Sequence, residues 1–487
     1  MSLNNASAEE AATAAQLASR RLAVLSEEER NEGLIAIHDA LASHMSDILA
    51  ANKQDMAVAN EAAQAGTLSQ SLVKRLDLSR PGKYEDMLQG IMQVKDLPDP
   101  LGIVASRTLL DDGLQLERRS CPIGVLLIIF EARPEVIANI ASLAIKSGNA
   151  AILKGGKEST ESFRAIAKVI AKALESTAVP NDAIQLVTSR AEVQPLLQLD
   201  RYVDLVIPRG GNELVRSIKA STQIPVLGHA DGLCTTYLRN DCDPALATRV
   251  IIDAKCSYAA ACNALETLLV DEEAVKQILP AVAKALLERD VTLLCDDFSK
   301  ASIVAELGSN PLIQDVADKD YSTEFLDLKL AIKTIPASDP EKALDFAITH
   351  INKYSSHHTD AILTADEKAA QYFMDGVDSA GVYWNASTRF ADGQRYGFGT
   401  EVGISTNKIH ARGPVGLEGL TIYKWLIRGD GQISGEYGEG KAKHFKHQKL
   451  PLAPVDDERV ARTEDELEVL RQFRLQKPKH TNGVNGY

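Results

Sequence analysis

A cysteine stands at a chemically suggestive place in the stretch 258–270, which reads YAAACNALETLLV. Cys262 follows small alanines, which leave room for a substrate, and precedes an apolar segment typical of a β-strand. A thiolate attacks carbonyl carbons and leaves well, so a cysteine here could split an acyl transfer into two easier steps. The alternatives are that Cys262 packs as a small apolar side chain, or that nearby Cys256 is the nucleophile. Spacing alone does not choose between them.

Two glycine pairs follow apolar segments, in LKGGKE at 153–158 and in PRGG at 208–211. Glycine lets the backbone approach a phosphate, and a following helix presents free N–H groups to it. The turns therefore predict a nucleotide site, made by Lys154, Gly155, Gly156, Lys157, Gly210 and Gly211. The alternative is that each pair only makes a tight turn. The chain has neither a Gly-x-Gly-x-x-Gly fingerprint nor a P-loop, so a dinucleotide would bind in a nonstandard way.

Alternating strands and helices position these residues. The strands are predicted at 123–130, 149–154, 183–187 and 202–207, with helices over 134–147, from Ser159 and over 212–220. A second series follows, at 235–238, 266–270, 291–294, 330–335 and 361–364, with helices such as 244–254 and 341–351 between them. This alternation implies parallel sheets with right-handed crossovers. The sequence therefore predicts an α/β fold of two doubly wound domains.

The segments outside this alternation have other characters. Residues 7–60 are rich in Ala, Leu and Glu with helical spacing. Residues 102–124 carry an Asp-Gly turn between alternating stretches, which predicts an exposed β-hairpin arm of the kind that often serves oligomer contacts. The chain ends in QKPKHTNGVNGY, which has the composition of a frayed tail.

Composition excludes several classes of function. The 487 residues include 67 acidic and 53 basic side chains, giving a formal net charge of −14, which disfavours nucleic acid and anionic lipid as partners. The 6 cysteines are too few for a disulfide scaffold, and their spacing predicts no metal site. The N-terminus has no apolar signal region, and the longest apolar run is too short to span a bilayer. We therefore expect a cytoplasmic protein without a membrane segment.

Longer motifs carry a family resemblance. The segments FEARPEVIANIASLAIKSGNAAILKGGKE, GHADGLC, CNALETLLV, NASTRFADG and HARGPVGLEGLTIYKW resemble the γ-glutamyl phosphate reductase family (glutamate-5-semialdehyde dehydrogenases), from about residue 10 to 430. This family belongs to the aldehyde dehydrogenase superfamily. The resemblance implies an aldehyde-dehydrogenase-like fold, with a cofactor-binding domain at 1–104 and 124–228 and a catalytic domain at 229–428. It also implies an oligomerisation arm at 105–123 with about 429–450, leaving 451–487 as a partly disordered extension.

The resemblance implies a reaction and roles for individual residues. It places the nucleophile on Cys262, which would attack the acyl phosphate of L-glutamyl 5-phosphate and release phosphate, and NADPH would then deliver hydride to the resulting thioester. The product would be L-glutamate 5-semialdehyde, a precursor of proline. Lys154 matches a lysine that holds the adenosine ribose, and Glu324 matches a glutamate that steadies the nicotinamide ribose. Lys157 replaces a glutamate that binds a free 2′-hydroxyl, so its positive charge favours NADP over NAD.

Two departures from hydrolytic aldehyde dehydrogenases bear on the mechanism. Ala132 stands where those enzymes have an asparagine that donates to the oxyanion, and GHADG lacks the glutamate of their general-base motif. Since an enzyme that uses an acyl phosphate should not hydrolyse its thioester, both departures agree with phosphate chemistry. The alternative function, a hydrolytic NAD(P)-dependent aldehyde dehydrogenase, is disfavoured by the missing base. A silent structural protein is disfavoured by Cys262 and by the glycine turns.

Substrate recognition requires cations for a carboxylate and a phosphate. The candidate cations within the family motifs are Arg133, Arg389 and Arg412, and the further candidates for substrate contacts are His229, beside the leaving phosphate, and Asn263. The alternatives are that the arginines form ordinary ion pairs and that His229, which is near Asp231, is structural. The expected partners are the small-molecule substrate, further copies of this chain in a homo-oligomer, and a glutamate 5-kinase that would hand over its labile product.

Overall fold

The computed structural model describes residues 7–68, 70–131, 133–187, 193–336 and 340–452. The chain divides into two compact units: a larger one of 1–99 and 122–421, and a smaller one of 100–121 and 422–487. Ala132 and nearly all of the expected C-terminal extension, 451–487, lie outside the described residues.

Helices open the chain, as the spacing predicts. They are α1 (Ala8–Leu22), α2 (Glu27–Ser43), α3 (Met45–Gln64), α4 (Gln70–Leu76) and α5 (Lys83–Asp96), followed by the strands β1 (Val104–Asp111) and β2 (Leu114–Pro122). Ser7 and Ser26 cap α1 and α2, since each hydroxyl accepts from a backbone N–H three residues on while Glu10 or Glu29 reaches back to the cap. The cap at each helix start thus fixes where α1 and α2 begin.

The first series of strands forms a four-stranded parallel sheet. Along the chain, the elements of this part are β3 (Val125–Phe130), α6 (Val136–Lys146), β4 (Ala150–Lys154), α7 (Thr160–Leu174), β5 (Ile184–Val187), α8 (Val193–Leu196), β6 (Leu205–Arg209) and α9 (Asn212–Ser221). The strand order is β5-β4-β3-β6. All six residues of β3 are buried, because helices cover both faces of a parallel sheet.

The register of this sheet brings both glycine pairs to the same end of the sheet, where the carboxyl ends of the strands lie. Ile129 pairs with Lys154 at the end of β4, and Phe130 pairs with Arg209 at the end of β6. The expected strand at 202–207 is displaced, since β6 runs on through Pro208 to Arg209. Pro208 is tolerated because β6 lies at the edge of the sheet. The carboxyl ends of β4 and β6 therefore flank the end of β3.

The second series forms a larger parallel sheet. Its elements are β7 (Cys234–Leu238), α10 (Pro244–Cys256), β8 (Leu265–Asp271), α11 (Glu272–Gln277), α12 (Leu279–Leu287), β9 (Thr292–Cys295), α13 (Asp297–Leu307), β10 (Ile313–Asp315), β11 (Lys329–Ile335), α14 (Pro340–Tyr354), β12 (Thr359–Leu363), α15 (Glu367–Gly376) and β13 (Gly381–Trp384). The strand order is β10-β9-β11-β8-β7-β12-β13. A short helix α16 (Gly393–Tyr396) and an antiparallel pair, β14 (Gly403–Ser405) and β15 (Gly413–Val415), follow it.

The smaller unit contains the predicted hairpin. In β1 and β2, Asp111 faces Leu114, so Asp112 and Gly113 form a two-residue turn in which Gly113 has φ +70°. The strands β16 (Thr421–Arg428) and β17 (Gln448–Lys449) complete a sheet of order β16-β2-β1-β17. The sequence leads us to expect that the catalytic domain ends at residue 428. In the structure the larger unit ends at Thr421, because β16 pairs with β2 of the hairpin. Among the described residues, no helix combines the length and apolar character that crossing a bilayer requires.

Candidate active site

A cavity of about 930 Å³ in the larger unit brings most of the expected site residues together. Its walls include Cys262, Asn263, His229, Glu324, Arg133, Arg389, Gly210 and Gly211. They also include residues that the sequence did not single out, among them Arg75, Glu131, Arg209, Tyr258 and Glu401. A cavity of this size can enclose a substrate together with the reactive end of a cofactor.

Cys262 lies in the loop between α10 and β8, half-buried in the cavity wall. The backbone of Gly232 presses against it, since a Cβ added to Gly232 would stand 2.1 Å from the Cys262 carbonyl oxygen. Only glycine fits there, so the second glycine of GHADG holds the cysteine loop in place. Cys256, by contrast, ends α10 and packs against the apolar core of the second half. The fold thus separates two cysteines that spacing left equivalent.

Glu324 is joined to the same glycine. Its Oε1 accepts a hydrogen bond of 3.0 Å from the Gly232 backbone N–H. Burial raises the pKa of this carboxyl, and the bond from Gly232 opposes that shift. Glu324 and Cys262, which both line the cavity, are therefore both in contact with Gly232.

His229 is oriented by a backbone carbonyl and not by the neighbouring acid. Its Nδ1 lies 3.0 Å from the carbonyl oxygen of Ile404, and burial lowers its pKa, so the ring is neutral with Nδ1 donating. Nε2 is then the nitrogen that carries the lone pair. Asp231 pairs with Arg216 at 3.0 Å instead. The sequence neighbours His229 and Asp231 therefore do not act as a pair.

Two guanidinium groups share one wall of the cavity. Arg133 is exposed to solvent, and Arg209 emerges from the last position of β6. Burial lowers the pKa of Arg209, and repulsion from Arg133 lowers it further. A pair of cations that repel each other in a cavity favours an anion between them. The sequence reasoning treated PRGG only as a glycine turn and so missed Arg209.

Two further arginines contact Tyr258 in the cavity wall. Arg389 donates from Nε to the Ser257 hydroxyl at 3.1 Å, and its guanidinium carbon lies 5.9 Å from the centre of the Tyr258 ring. Arg75, from α4, donates to the Tyr258 hydroxyl at 2.8 Å. Three elements that are distant in the sequence thus converge on one side of the cavity.

Two other candidates have structural partners. Arg412 donates to the Asp378 carboxylate at 2.9 Å and to its carbonyl at 3.0 Å, and it is not among the described residues that line the cavity. Asn263 does line the cavity, but its Nδ2 donates to the Ala391 carbonyl at 2.9 Å. The Asn263 Oδ1 is buried and has no hydrogen-bond partner within the described ranges, which leaves it as an acceptor for a ligand.

Carboxylates also line the cavity, although GHADG lacks a glutamate. Glu131 accepts from the Gly211 N–H at 3.2 Å, and Glu401 accepts from the Gly393 N–H at 3.0 Å. Burial raises the pKa of Glu401, while Arg209 opposes the shift. The expectation that a water-activating base is absent depends on the motif GHADG alone, and Glu401 is a carboxylate of the cavity wall that comes from a different segment.

The first glycine pair lies at the end of β4, and the described cavity walls do not include it. A Cβ on Gly155 would stand 2.0 Å from the Phe163 ring, so glycine is required for close packing of this turn on α7. The Lys154 ammonium donates to the Gly155 carbonyl, and Lys157 is exposed. The Ser159 hydroxyl is buried there without a hydrogen-bond partner in the described part of the chain. A buried orphan hydroxyl beside two lysines fits a site that a polar ligand completes.

Comparison with known proteins identifies the family. Residues 1–292 match the family model described as "Aldehyde dehydrogenase family". A protein of Schizosaccharomyces pombe named "Probable gamma-glutamyl phosphate reductase" is 55% identical over 88% of this chain and 94% of its own length. The "Gamma-glutamyl phosphate reductase" of Saccharomyces cerevisiae is 49% identical over 92% and 99%. The chain belongs to the γ-glutamyl phosphate reductases of the aldehyde dehydrogenase family.

A solved structure agrees with this assignment. The γ-glutamyl phosphate reductase of Thermotoga maritima is 36% identical, covers 88% of this chain and 100% of its own, and superposes with a TM-score of 0.81. An acetylating aldehyde dehydrogenase of Geobacillus thermoglucosidasius, 16% identical with a TM-score of 0.59, shares the fold. The resemblance and the aldehyde-dehydrogenase-like α/β fold expected from the sequence are confirmed.

Proposed function

We propose that this chain reduces L-glutamyl 5-phosphate to L-glutamate 5-semialdehyde and phosphate with NADPH, through a thioester on Cys262, as a step of proline biosynthesis. The observation that carries the proposal is the placement of Cys262 in one cavity with the cations Arg133, Arg209 and Arg389. A nucleophile surrounded by guanidinium groups suits a substrate that carries both a carboxylate and a phosphate. The names of the relatives from S. pombe and S. cerevisiae support the same substrate.

The chemistry begins at the thiolate of Cys262. It attacks the acyl carbon, the bond from that carbon to the phosphate oxygen breaks, and phosphate leaves with the bonding electrons. The chemistry that NADPH would supply, when held by Glu324 and the two glycine turns, is a hydride for the acyl carbon of the resulting thioester. The thiolate of Cys262 then leaves as the aldehyde forms, ready for another cycle. Gly232 contacts the Cys262 backbone and donates to Glu324, so the same glycine positions the nucleophile and the residue that would hold the nicotinamide ribose.

The two cationic groups divide the charges of the substrate between them. Arg133 and Arg209 form a pair, which matches the greater charge of a phosphate. Arg389 stands as the guanidinium beside Tyr258 and receives the single negative charge of the α-carboxylate. The Asn263 Oδ1, buried as an acceptor, receives the α-ammonium. Arg412 is left out of the site because Asp378 holds it.

The turn after β4 supplies the adenosine end of the cofactor site. Lys154 and Ser159 offer donors, Gly155 and Gly156 allow close approach of the ligand, and exposed Lys157 pairs with a 2′-phosphate. At the other end, Gly210, Gly211 and Glu324 line the cavity that holds Cys262. The exposed charge of Lys157 supports NADP over NAD.

A charge reversal tests this choice of cofactor. Lys157→Glu should shift the ratio of kcat/KM for NADP over NAD toward NAD by roughly tenfold or more, since one lost charge-assisted contact is worth about 1.5–3 kcal/mol. Lys168→Glu, at an exposed position further along α7, makes the same change in net charge and should leave the ratio unchanged. Equal ratios for both variants would remove Lys157 from the site.

The reaction itself is tested in the oxidative direction, with glutamate semialdehyde and NADP. We expect sustained NADPH formation only when phosphate is present, because phosphate is already a nucleophilic anion whereas water needs a general base worth roughly 10²–10⁴-fold. Without phosphate, a burst of no more than one equivalent per chain should appear. Sustained formation of NADPH and glutamate without phosphate would instead favour the hydrolytic alternative, with Glu401 as its base.

A further inference from the structure

Cys262 is part of a second arrangement that its spacing in the sequence does not reveal. Its Sγ and one ring nitrogen each of His229 and His358 lie within 4.8 Å of one another. The three residues lie in the segments that lead into β8, β7 and β12, which are neighbours in the parallel sheet. Because adjacent parallel strands begin at the same edge, the sheet itself gathers the three side chains there.

Both histidines have one nitrogen engaged by the protein. The Nδ1 of His229 lies 3.0 Å from the Ile404 carbonyl, and the Nδ1 of His358 lies 2.9 Å from the Thr359 hydroxyl. The Nε2 of His358, on a side chain that is only 1% exposed, has no hydrogen-bond partner in the described ranges. Histidines that ligate metals characteristically bond through the other ring nitrogen to a carbonyl or similar group, which fixes the ring.

We infer that Cys262, His229 and His358 form a site for a soft divalent cation, Zn²⁺ by its ligand preference, and that the bound cation blocks the nucleophile. One thiolate and two neutral imidazoles are typical zinc donors, whereas magnesium and calcium prefer oxygen. Zinc bond lengths place tetrahedral donors about 3.3–3.6 Å apart, so the side chains need to close by about 1 Å. Binding releases the thiol proton to solvent and leaves a fourth position for water.

The proposed inhibition rests on the proposed role of Cys262 in turnover, whereas the binding of metal does not. A thiolate shared with zinc cannot attack the acyl carbon, so metal and substrate should exclude each other. Removal of the metal by a chelator should restore activity, since no covalent bond to carbon forms.

The test uses the full-length protein after chelator treatment, titrated with Zn²⁺ and, in parallel, with Co²⁺ as a spectroscopic probe. We expect one metal per chain, a thiolate-to-cobalt charge-transfer band, and loss of that band in Cys262→Ser. His358→Gln should weaken zinc inhibition by roughly tenfold or more, given that even loss of an outer-shell partner costs about 10–100-fold. His350→Gln removes another buried histidine and should leave zinc inhibition unchanged.

A separate measurement covers the case in which His358→Gln does not fold. Zinc should protect Cys262 of the wild-type chain from alkylation, read by peptide mass spectrometry, and should leave alkylation of Cys121 and Cys256 unchanged. The absence of a cobalt–thiolate band in the wild type, or equal protection of all three thiols, would overturn the site. A protein that binds cobalt through Cys262 but never oxidises glutamate semialdehyde would instead overturn the proposed function alone.

Discussion

At the scale of single residues, the choice between two cysteines shows what the fold adds to the sequence. Cys262 reaches the cavity because a glycine with no room for a side chain holds its loop, while Cys256 faces apolar neighbours on α10. Burial also raises the pKa of the Cys256 thiol, which disfavours the nucleophilic thiolate there.

Alanine substitutions separate the two cysteines experimentally. Cys262→Ala should abolish turnover and leave NADP binding and thermal unfolding close to those of the wild type, because a half-exposed sulfur contributes little packing. Cys256→Ala should remain active, with at most a modest drop in Tm from the lost core contact. Steady-state rates, cofactor titration and circular dichroism melts provide the comparison, and an active Cys262→Ala would move the nucleophile elsewhere.

Steady-state kinetics with each substrate varied in turn test which substrate anion each arginine binds. In the oxidative direction, Arg133→Gln should raise the KM for phosphate and Arg389→Gln the KM for glutamate semialdehyde, each by roughly 10- to 150-fold, from about 1.5–3 kcal/mol per charged hydrogen bond. Arg412→Gln, whose guanidinium is paired with Asp378, should leave both KM values near those of the wild type. The reverse pattern between Arg133 and Arg389 would exchange the two anion sites.

The sequence indicates those residues of the cavity wall that belong to motifs, and it does not indicate residues that meet only in space. Cys262, Glu324 and Gly210 could be named because their motifs are contiguous. Arg209 belongs to PRGG, and its position between a strand and a glycine pair is a usable signal. His358 could not be found, because it joins Cys262 only through the order of β8, β7 and β12 in the sheet.

At the scale of secondary-structure elements, a buried ion pair fastens the framework around the cysteine loop. Lys255 on α10 lies 2.8 Å from Glu266 on β8, and their side chains are 0% and 1% exposed. Glu266 also accepts from the Leu326 N–H at 3.2 Å, in the segment that carries Glu324. The pair thus ties together the elements on both sides of Cys262 and the loop of Glu324.

The strands predicted from apolar runs were found, and those without such runs were missed. The central strands β8 and β11 carry the mostly apolar segments ETLLV and LAIKTI, most of whose residues are buried. The edge strands β10 and β13 are short and partly exposed, since each pairs on one side only, and their sequences carry no comparable run. The position of an edge strand therefore depends on strand pairing more than on local hydropathy, which is why the sequence does not indicate it.

The buried pair also predicts a pH dependence of stability. Burial raises the pKa of Glu266 to about 7, with Lys255 opposing the shift. Between the ordinary glutamate pKa and about 7, the native state holds a proton that the unfolded state has lost, so the stability from this group falls as pH rises. Glu266→Gln should remove this component, on the order of 1–3 kcal/mol between pH 4.5 and 7.5.

Urea unfolding at several pH values measures this effect. The difference in unfolding free energy, Glu266→Gln minus wild type, should become more positive as pH rises through this range. Glu306→Gln, at an exposed position on α13, should show a difference that does not change with pH. A pH-independent difference for Glu266→Gln as well would mean that Lys255 keeps the carboxylate ionised throughout.

At the scale of the whole molecule, the described part of the smaller unit exposes a strand edge that monomeric proteins rarely leave open. The strand β16 lies at the edge of its sheet. Tyr423, Trp425 and Ile427 occupy every second position and so lie on the same face of the strand, with exposures of 52%, 55% and 63%. An edge that combines free backbone groups with a row of large apolar side chains is a template for pairing with another chain. This supports the homo-oligomer that the sequence led us to expect, with β16 at its interface.

Substitution on this strand tests the proposed assembly. Trp425→Glu should lower the molar mass seen by light scattering, because a charge buried in a two-fold strand interface meets its own copy and lacks a counterion. Phe346→Glu, on α14, introduces the same charge at a side chain that is 56% exposed, and it should leave the mass unchanged. Turnover measured at the same concentrations shows whether assembly matters for catalysis. Every described wall residue of the cavity belongs to the larger unit, so a dissociated Trp425→Glu should keep most of its activity.

An unchanged mass for Trp425→Glu would place the interface on another surface. Loss of activity in step with mass would mean that a second copy supports the site.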